Sequence, residues 1–151
     1  MALSNINMRK HIYSFLVLCL LASSAWAQTD QSKIKDLLSR LPADNSAKLN
    51  KSMEDLAALG KSGIVQIASM LTPPGKGDNS KIQYALGGFS FASMQSGKEV
   101  WRQLAAEAYG EALSKVTDPD SKVFLIYQLQ TVGKAESVIV LKSYLGDETL
   151  S

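Results

Sequence analysis

In LAALGKSG (residues 56–63), MQSGKEVW (94–101) and LQTVGKAE (129–136), a Gly-Lys pair recurs at nearly constant spacing. The glycines are Gly60, Gly97 and Gly133, so the two intervals are 37 and 36 residues. An apolar run of helical periodicity follows each pair, and another run precedes at least two of them. A fixed period of this length is typical of stacked helix pairs, which bury their apolar faces against one another. The spacing therefore predicts a repeat architecture, a class that usually provides binding surfaces.

Residues 1–27 have the features of a secretory signal peptide. Two basic residues precede an apolar run, residues 12–22, and Ala25-Trp26-Ala27 matches the A-x-A cleavage pattern. We expect cleavage before Gln28 and export of a mature domain, residues 28–151, to the periplasm or the outside of the cell. A retained N-terminal anchor is the alternative interpretation of the same segment.

The predicted mature chain lacks most of the side chains used for metal binding and catalysis. The only histidine, His11, and the only cysteine, Cys19, lie in the signal. A disulfide, a Cys or His zinc site and a His-based triad are therefore excluded after cleavage. Arg9 and Lys10 are also lost, which leaves 14 basic and 14 acidic residues. With no basic excess, no long apolar segment and no cofactor motif, we expect no nucleic-acid partner, no membrane span and no cofactor.

Helix-forming residues dominate the mature chain, and alternating runs of the β type are nearly absent. The sequence predicts an all-α fold: an antiparallel helix-pair solenoid of about three repeats, preceded by one N-terminal helix and incomplete at its C-terminus. Seven helices are expected. The first, third, fifth and seventh helices are expected over residues 31–40, 62–71, 98–116 and 136–145. The second is expected from residue 46 to Gly60, the fourth begins at residue 80, and the sixth extends from residue 118 to Gly133.

Local signals also predict where several helices begin. The second helix is expected to be capped by Asp44 or Asn45 and the fourth by Asn79 or Ser80, because these side chains accept hydrogen bonds from free backbone N–H groups. Asp118 followed by proline is a typical start for the sixth helix.

Apolar residues at helical spacing predict the buried face of each helix. In the long fifth helix this face comprises Val100, Trp101, Leu104, Ala105, Ala108, Ala112, Leu113 and Val116. In the last helix it comprises Val138, Leu141, Tyr144 and Leu145. Met70 and Tyr127 are expected to point inward as well. If the repeat array stops at Leu150, its last pair lacks a cover, and the isolated chain is expected to self-associate or to be marginally stable.

Three patterns that could carry chemistry have simpler structural interpretations. Gly60-Lys61-Ser62 lacks the earlier glycine of a phosphate-binding loop, since Asp55 stands there, and no strand leads into it. Asp118-Pro119-Asp120 is better explained as a helix start than as a calcium loop. Glu107 and Glu111 share a helix face, but basic residues at helical offsets favour a solvated charged surface over a catalytic carboxylate pair.

Two features remain as candidate binding elements. Trp101 and Tyr109 could stack on a sugar or grip a peptide, although the apolar stripe that passes through them favours core packing. The loop after the third helix is the most unusual local feature, and it is either a partner-binding loop or an insertion between repeats. Its residues are Pro73, Pro74, Gly75, Lys76, Gly77, Asp78 and Asn79.

Three longer segments carry a resemblance to a known family. They are MLTPPGKGDNSKIQYALGGFS (residues 70–90), VWRQLAAEAYGEALSKVTD (100–118) and YQLQTVGKAESVIVLKSYLGDE (127–148). The chain resembles, over residues 30–150, the N-terminal HEAT-repeat region of a family of secreted bacterial proteins. Members of that family often continue into a β-sandwich domain of the 3-keto-disaccharide hydrolase type. The resemblance covers none of that domain, so it places no active-site residue on this chain.

Together these observations predict an exported, non-catalytic helical-repeat scaffold that binds a protein partner or an adjoining domain. The alternative is the N-terminal fragment of a secreted carbohydrate-active hydrolase whose catalytic domain lies outside this sequence. A third interpretation is a small-sugar binder that uses Trp101 and nearby tyrosines.

Overall fold

The computed structural model describes residues 31–147 and Leu150. The predicted signal peptide, residues 1–27, and the predicted cleavage before Gln28 lie outside these residues. The chain divides into two compact units, the first ending at Lys35 and the second beginning at Asp36. The helix contacts that bear on function lie within the second unit.

The described residues contain seven helices and no β-strand, which confirms the predicted all-α class. Two helices end earlier than predicted, because single 3₁₀-type turns at residues 69–71 and 143–145 replace their last α-helical turn. The helices are α1 (residues 31–39), α2 (Ser46–Ala58), α3 (Gly60–Ala68), α4 (Ser80–Ser93), α5 (Glu99–Lys115), α6 (Pro119–Val132) and α7 (Ala135–Lys142).

Helix contacts follow the chain order. In each extensive contact among α2 to α7, the two partners are one or two helices apart in the sequence. Contacts between helices two apart form two rows, α2–α4–α6 and α3–α5–α7, and contacts between consecutive helices join the rows. The most extensive contacts are those of α5 with α3 and α6, so α5 lies at the centre of the packing.

Every helix from α2 to α6 contributes buried apolar side chains to the core, and α5 contributes the most. The buried face of α4 is the one that the sequence predicts. On α4, Ile82, Leu86 and Phe89 are buried, and α5 contributes a buried stripe of small and large residues. Burying one large apolar side chain of this kind contributes about 1.5–3 kcal/mol. The buried residues of the α5 stripe are Ala105, Ala106, Ala108, Tyr109, Ala112 and Leu113.

Glycines within helices allow neighbouring helices of one row to approach closely. A Cβ atom at Gly88 of α4 would lie 3.4 Å from Met53 Sδ of α2, and one at Gly110 of α5 would lie 3.8 Å from Val140 of α7. A Cβ atom would make ordinary van der Waals contacts at both positions, so the neighbouring helices of each row are in close contact there.

Each of the three repeated glycines lies at a junction between two consecutive helices, as predicted. Gly60 follows α2, Gly97 precedes α5, and Gly133 separates α6 from α7. Their conformations differ. Gly60 and Gly97 have positive φ angles of 66° and 79°, whereas Gly133 has φ −63°. At Gly133 a Cβ atom would lie 2.5 Å from the Leu129 carbonyl oxygen, so close approach rather than left-handed geometry requires glycine there.

Several predicted inward positions are wrong, since the side chains are exposed. On α6 the buried positions are Leu125, Leu129 and Val132, at the i, i+4, i+7 spacing of one face, and Tyr127 lies on another face. The expected inward positions that are exposed are Met70, Val100, Tyr127, Val138 and Leu145.

Candidate partner-binding surfaces

The loop between α3 and α4 is closed by the side chain of Asn79. Asn79 Oδ1 accepts hydrogen bonds from Thr72 N and Thr72 Oγ1, both at 3.0 Å, and Asn79 Nδ2 donates to the Thr72 carbonyl at 2.7 Å. The prediction that Asn79 could cap α4 through its side chain is wrong, because the amide is used to join the two ends of the loop.

Further hydrogen bonds order the loop from within. Lys76 N donates to the Pro73 carbonyl at 3.0 Å, and Ser80 N donates to Asp78 Oδ1 at 2.8 Å. Hydrogen bonds from Ser80 lower the pKa of Asp78, so the carboxylate is charged at neutral pH. Residues 73–78 are exposed on this ordered frame. The partner-binding role of Pro73 to Asn79 stays a prediction.

A groove of about 740 Å³ runs along α5 and is bounded by the end of α6, by α7 and by one residue of α3. Its charged side chains nearly balance, so charge favours neither a strongly acidic nor a strongly basic ligand. The charged lining consists of Glu99, Glu107, Glu111 and Glu136 with Lys61, Arg102 and Lys134.

Arg102 lines this groove and is hydrogen-bonded to the turn between α6 and α7. Its Nε donates to the Val132 carbonyl at 2.7 Å, and its Nη2 donates to the Gly133 carbonyl at 3.0 Å. These carbonyls belong to the free C-terminal end of α6, where a cation is favourable. Sequence reasoning placed Arg102 on a solvated charged face and missed this role, because its partners lie thirty and thirty-one residues away.

Two of the four carboxylates that line the groove, Glu107 and Glu111, are held in structural interactions. Glu111 forms ion pairs with Lys115 at 2.8 Å and with Lys61 at 3.1 Å, and Glu107 accepts a hydrogen bond from Gln103. Lys115, followed by Lys61, lowers the pKa of Glu111. A general acid needs a raised pKa, so the environment of Glu111 is opposite to the one that such a role requires.

A second cavity, of about 620 Å³, lies beside the start of α2 and is lined by three cations. Each of them already forms an ion pair, and two of them share one carboxylate. Arg40 pairs with Asp55 at 2.9 Å, Lys51 pairs with Asp55 at 2.9 Å, and Lys48 pairs with Asp44. Within the described part of the chain, the cavity therefore offers no unpaired positive charge to an anion.

Trp101 and Tyr109 do not form a common surface. Tyr109 is fully buried, and its hydroxyl donates to the Leu86 carbonyl at 2.8 Å. Trp101 is half-buried and stacks on Phe89, with ring centroids 5.8 Å apart. Lys98 Nζ lies 3.6 Å from the centre of the Trp101 ring. A sugar that stacked on the face under Lys98 would have to displace this cation–π contact.

The last helix of the α3–α5–α7 row exposes most of its apolar side chains. Ile139 is 78% exposed, Val138 44% and the following Leu145 79%, and we call these three residues the α7 surface. Only Ser137 is buried on α7. Sequence reasoning placed Val138 and Leu145 on an inward face. The signal that it overlooked is the unbroken apolar run of residues 138–141, which puts apolar groups on every side of the helix.

The acidic segment before α6 is a helix start. Asp118 Oδ2 accepts hydrogen bonds from Ser121 N at 2.8 Å and from Ser121 Oγ at 2.7 Å, which confirms the predicted cap. Within residues 31–147 and Leu150, no three His, Cys, Asp or Glu side chains come together as a metal site.

Comparison with known proteins finds no matching family model, no similar curated protein and no similar solved structure. Over the described part of the chain, none of the helices combines the length and the apolar character that crossing a bilayer requires.

Proposed function

We propose that this protein is an exported, non-catalytic helical-repeat scaffold of the HEAT-like type that binds a protein partner. The observation that carries the proposal is the α7 surface, where Val138, Ile139 and Leu145 are exposed on one short stretch of chain. Exposed apolar groups that cluster on one element are typical of protein-binding sites.

The contact pattern supports a repeat. In each row the inner helix has two same-row neighbours, as α4 has α2 and α6, whereas α6 and α7 each have one. A partner helix placed against α7 would therefore give α7 a second neighbour in its row, just as α5 has the two neighbours α3 and α7. Full burial of Ile139 and Leu145 would contribute about 1.5–3 kcal/mol each, before the cost of association is subtracted.

Export is the second part of the proposal, and it rests on the signal features of residues 1–27. The test is N-terminal sequencing of the protein recovered from the periplasm or the medium. A chain that begins at Gln28 supports export with cleavage. A recovered protein that still carries the apolar run of residues 12–22 contradicts it.

Partner binding at the α7 surface is tested with a photo-crosslinking residue placed at Ile139. A matched probe at Gln66, an exposed position of α3, serves as the control. We expect position 139 to yield a discrete protein adduct that is absent at position 66 and is lost when Leu145 is changed to Asp. Equal labelling at both positions, or no adduct at position 139, contradicts the proposal.

The loop is tested separately, since it lies between α3 and α4 and contributes no residue to the α7 surface. A variant with residues 73–77 shortened to two glycines is compared with the natural chain for the partners that each recovers. A partner recovered by the natural chain alone supports the predicted binding role of the loop. Recovery of the same partners by both chains removes the loop from the proposal.

A further inference from the structure

We infer that the first turn of α7, together with Arg102, forms a binding site for the carboxylate group of a singly charged ligand that occupies the groove along α5. The residues that form this site are Arg102, Lys134, Ala135, Glu136 and Ser137, and all of them except Ala135 line the groove. None of them belongs to the α7 surface, so the site goes beyond the proposed function.

The helices α6 and α7 begin in the same way, with a buried serine as the third residue. Ser121 of α6 is 3% exposed, and Ser137 of α7 is 5% exposed. On α6 the cap is Asp118, whose Oδ2 accepts hydrogen bonds from Ser121 N at 2.8 Å and from Ser121 Oγ at 2.7 Å. The start of α6 therefore shows that a carboxylate oxygen is the natural acceptor for this arrangement.

The start of α7 has the serine but lacks the carboxylate. Its cap residue is Lys134, whose side chain makes no capping hydrogen bond, and Ser137 Oγ has no hydrogen-bond partner among the described residues. Every fully enclosed polar side-chain atom in the described part of the chain does have a partner. The Ser137 hydroxyl therefore reaches the wall of the groove, which Ser137 lines, and its donor is unused.

Backbone donors at the same place are also free. Ser137 N donates to the Lys134 carbonyl at 3.0 Å, but the N–H groups of Ala135 and Glu136 have no backbone acceptor among the described residues. Unpaired N–H groups and the helix dipole make the start of a helix favourable for an anion. The Ser137 hydroxyl adds a side-chain donor to these two groups.

Two cations without carboxylate partners lie beside these donors. Arg102 and Lys134 both line the groove, and neither forms an ion pair with a described residue. Arg102 Nη2 donates to the Gly133 carbonyl at 3.0 Å, and a Cβ atom on Gly133 would lie 2.9 Å from Ser137 Oγ. The guanidinium and the free hydroxyl therefore approach the same residue, and a carboxylate there would gain charge-assisted hydrogen bonds.

The acidic side chains of the groove limit the charge of the ligand. Glu99 and Glu136 also line it, and neither forms an ion pair with a described residue. They repel an anion, and the repulsion is larger for a doubly charged phosphate than for a singly charged carboxylate. Much of the remaining wall is apolar, with Val100, Val132 and Val140. A carboxylate that carries an apolar body fits this lining best, whether it is a small organic acid or the free C-terminus of a peptide.

The experiment follows the backbone amide signals of residues 134–137 by two-dimensional ¹H–¹⁵N NMR of the purified protein. The probes are butyrate, the tripeptide acetyl-glycyl-glycyl-leucine with a free carboxyl group, and the amide of that tripeptide. Each is added up to about 20 mM, a range that covers a millimolar dissociation constant. We expect saturable shifts at these amides with at least one of the two acids and none with the tripeptide amide.

Three variants test the groups that bind the carboxylate. Ser137→Ala is expected to weaken the binding of the acid by about tenfold, because a hydrogen bond to a charged group is lost. Ser121→Ala is the matched control, since that hydroxyl is already bonded to Asp118, and it should leave the affinity unchanged. Lys134→Asp supplies the carboxylate that Asp118 supplies to α6, so it should abolish binding and raise the thermal stability of the protein.

The outcomes separate the sources of the carboxylate and the alternatives to the site. Binding of the tripeptide acid alone assigns the site to a peptide C-terminus, and binding of butyrate with similar affinity assigns it to small acids. The absence of saturable shifts with both acids overturns the inference, and so do equal shifts with the tripeptide amide or full affinity in Ser137→Ala. The dispersion of the same spectra shows whether each variant is folded, and Lys134→Asp tests the site independently of the serine.

Discussion

Tyr109 joins α5 to α4 through a small buried group of polar atoms. Its hydroxyl donates to the Leu86 carbonyl at 2.8 Å, and Ser90 Oγ lies 3.1 Å from the same hydroxyl. Burial raises the pKa of Tyr109, because the charged phenolate would be desolvated in the core. The hydroxyl therefore acts as a neutral donor that fixes the register between the two central helices.

Removing this hydroxyl gives the first prediction. Tyr109→Phe is expected to lower the free energy of unfolding by about 1 kcal/mol, because one buried hydrogen bond is lost while Ser90 keeps its bond to the Leu86 carbonyl. Urea denaturation measures the change. Tyr84→Phe, at a position exposed to solvent on α4, is the control and should be neutral. Equal losses in the two variants would contradict a specific role for the Tyr109 hydroxyl.

The turn glycines give the second prediction, since two of them are needed for different reasons. Gly97 has a φ angle of 79° and open space around it, so Gly97→Ala should cost about 1–2 kcal/mol and Gly97→Asn less, because Asn tolerates the left-handed region. At Gly133 a Cβ would meet Leu129 O and Ser137, so Gly133→Ala and Gly133→Asn should both cost about 1–3 kcal/mol. Thermal or urea unfolding of the four variants compares them. A rescue by Asn at position 133 would show that the steric explanation is wrong.

At the scale of the helices, Arg102 connects the first turn of α5 to the turn between α6 and α7. Arg102→Lys keeps the charge but cannot direct two separate N–H groups to the Val132 and Gly133 carbonyls. We expect a loss of about 1–2 kcal/mol and faster hydrogen exchange of the first α7 amides. Gln103→Lys, on the neighbouring exposed position, is the control. Unchanged exchange in α7 after Arg102→Lys would mean that the turn does not depend on this side chain.

The elements that could be predicted from sequence are those with local causes. The turn glycines, the Asp118 cap and the buried face of α4 all follow from residues within one or two helical turns. The helix class follows for the same reason, and so does the position of the loop that contains Gly75 and Gly77.

The elements that could not be predicted depend on contacts distant in sequence. Nothing near Arg102 in the sequence indicates that its hydrogen-bond partners are at the end of α6. Nothing near Asn79 indicates whether its side chain caps α4 or forms hydrogen bonds with Thr72. The candidate α7 surface was missed because residues 138–141 are apolar on all sides. Periodicity alone cannot choose the buried side of such a helix, and the choice is made by its contacts with α5 and α6.

At the scale of the whole described unit, stability is expected to be uneven. The helices contact only near neighbours in chain order, and α7 buries a single side chain, whereas α5 buries six. Hydrogen exchange monitored by mass spectrometry is expected to show α7 amides opening at a lower free energy than those of residues 105–113 in α5. Equal protection of α5 and α7 in the dilute protein would contradict this order.

Acid sensitivity is the last prediction, and it follows from two paired carboxylates. Lys115 and Lys61 lower the pKa of Glu111 below its ordinary 4.5, and Lys51, followed by Arg40, lowers the pKa of Asp55 below 3.8. A lowered folded-state pKa means that the unfolded chain binds more protons as the pH falls. The stabilisation is therefore complete above the unfolded-state pKa and is lost as the pH falls through the folded-state value.

The free energy of unfolding should be nearly constant from about pH 6 to 8, since residues 28–151 lack histidine, and should decline below about pH 4.5. Urea titrations at each pH measure it, and Glu111→Gln should show a shallower decline; a parallel decline in that variant would exclude Glu111 as a contributor.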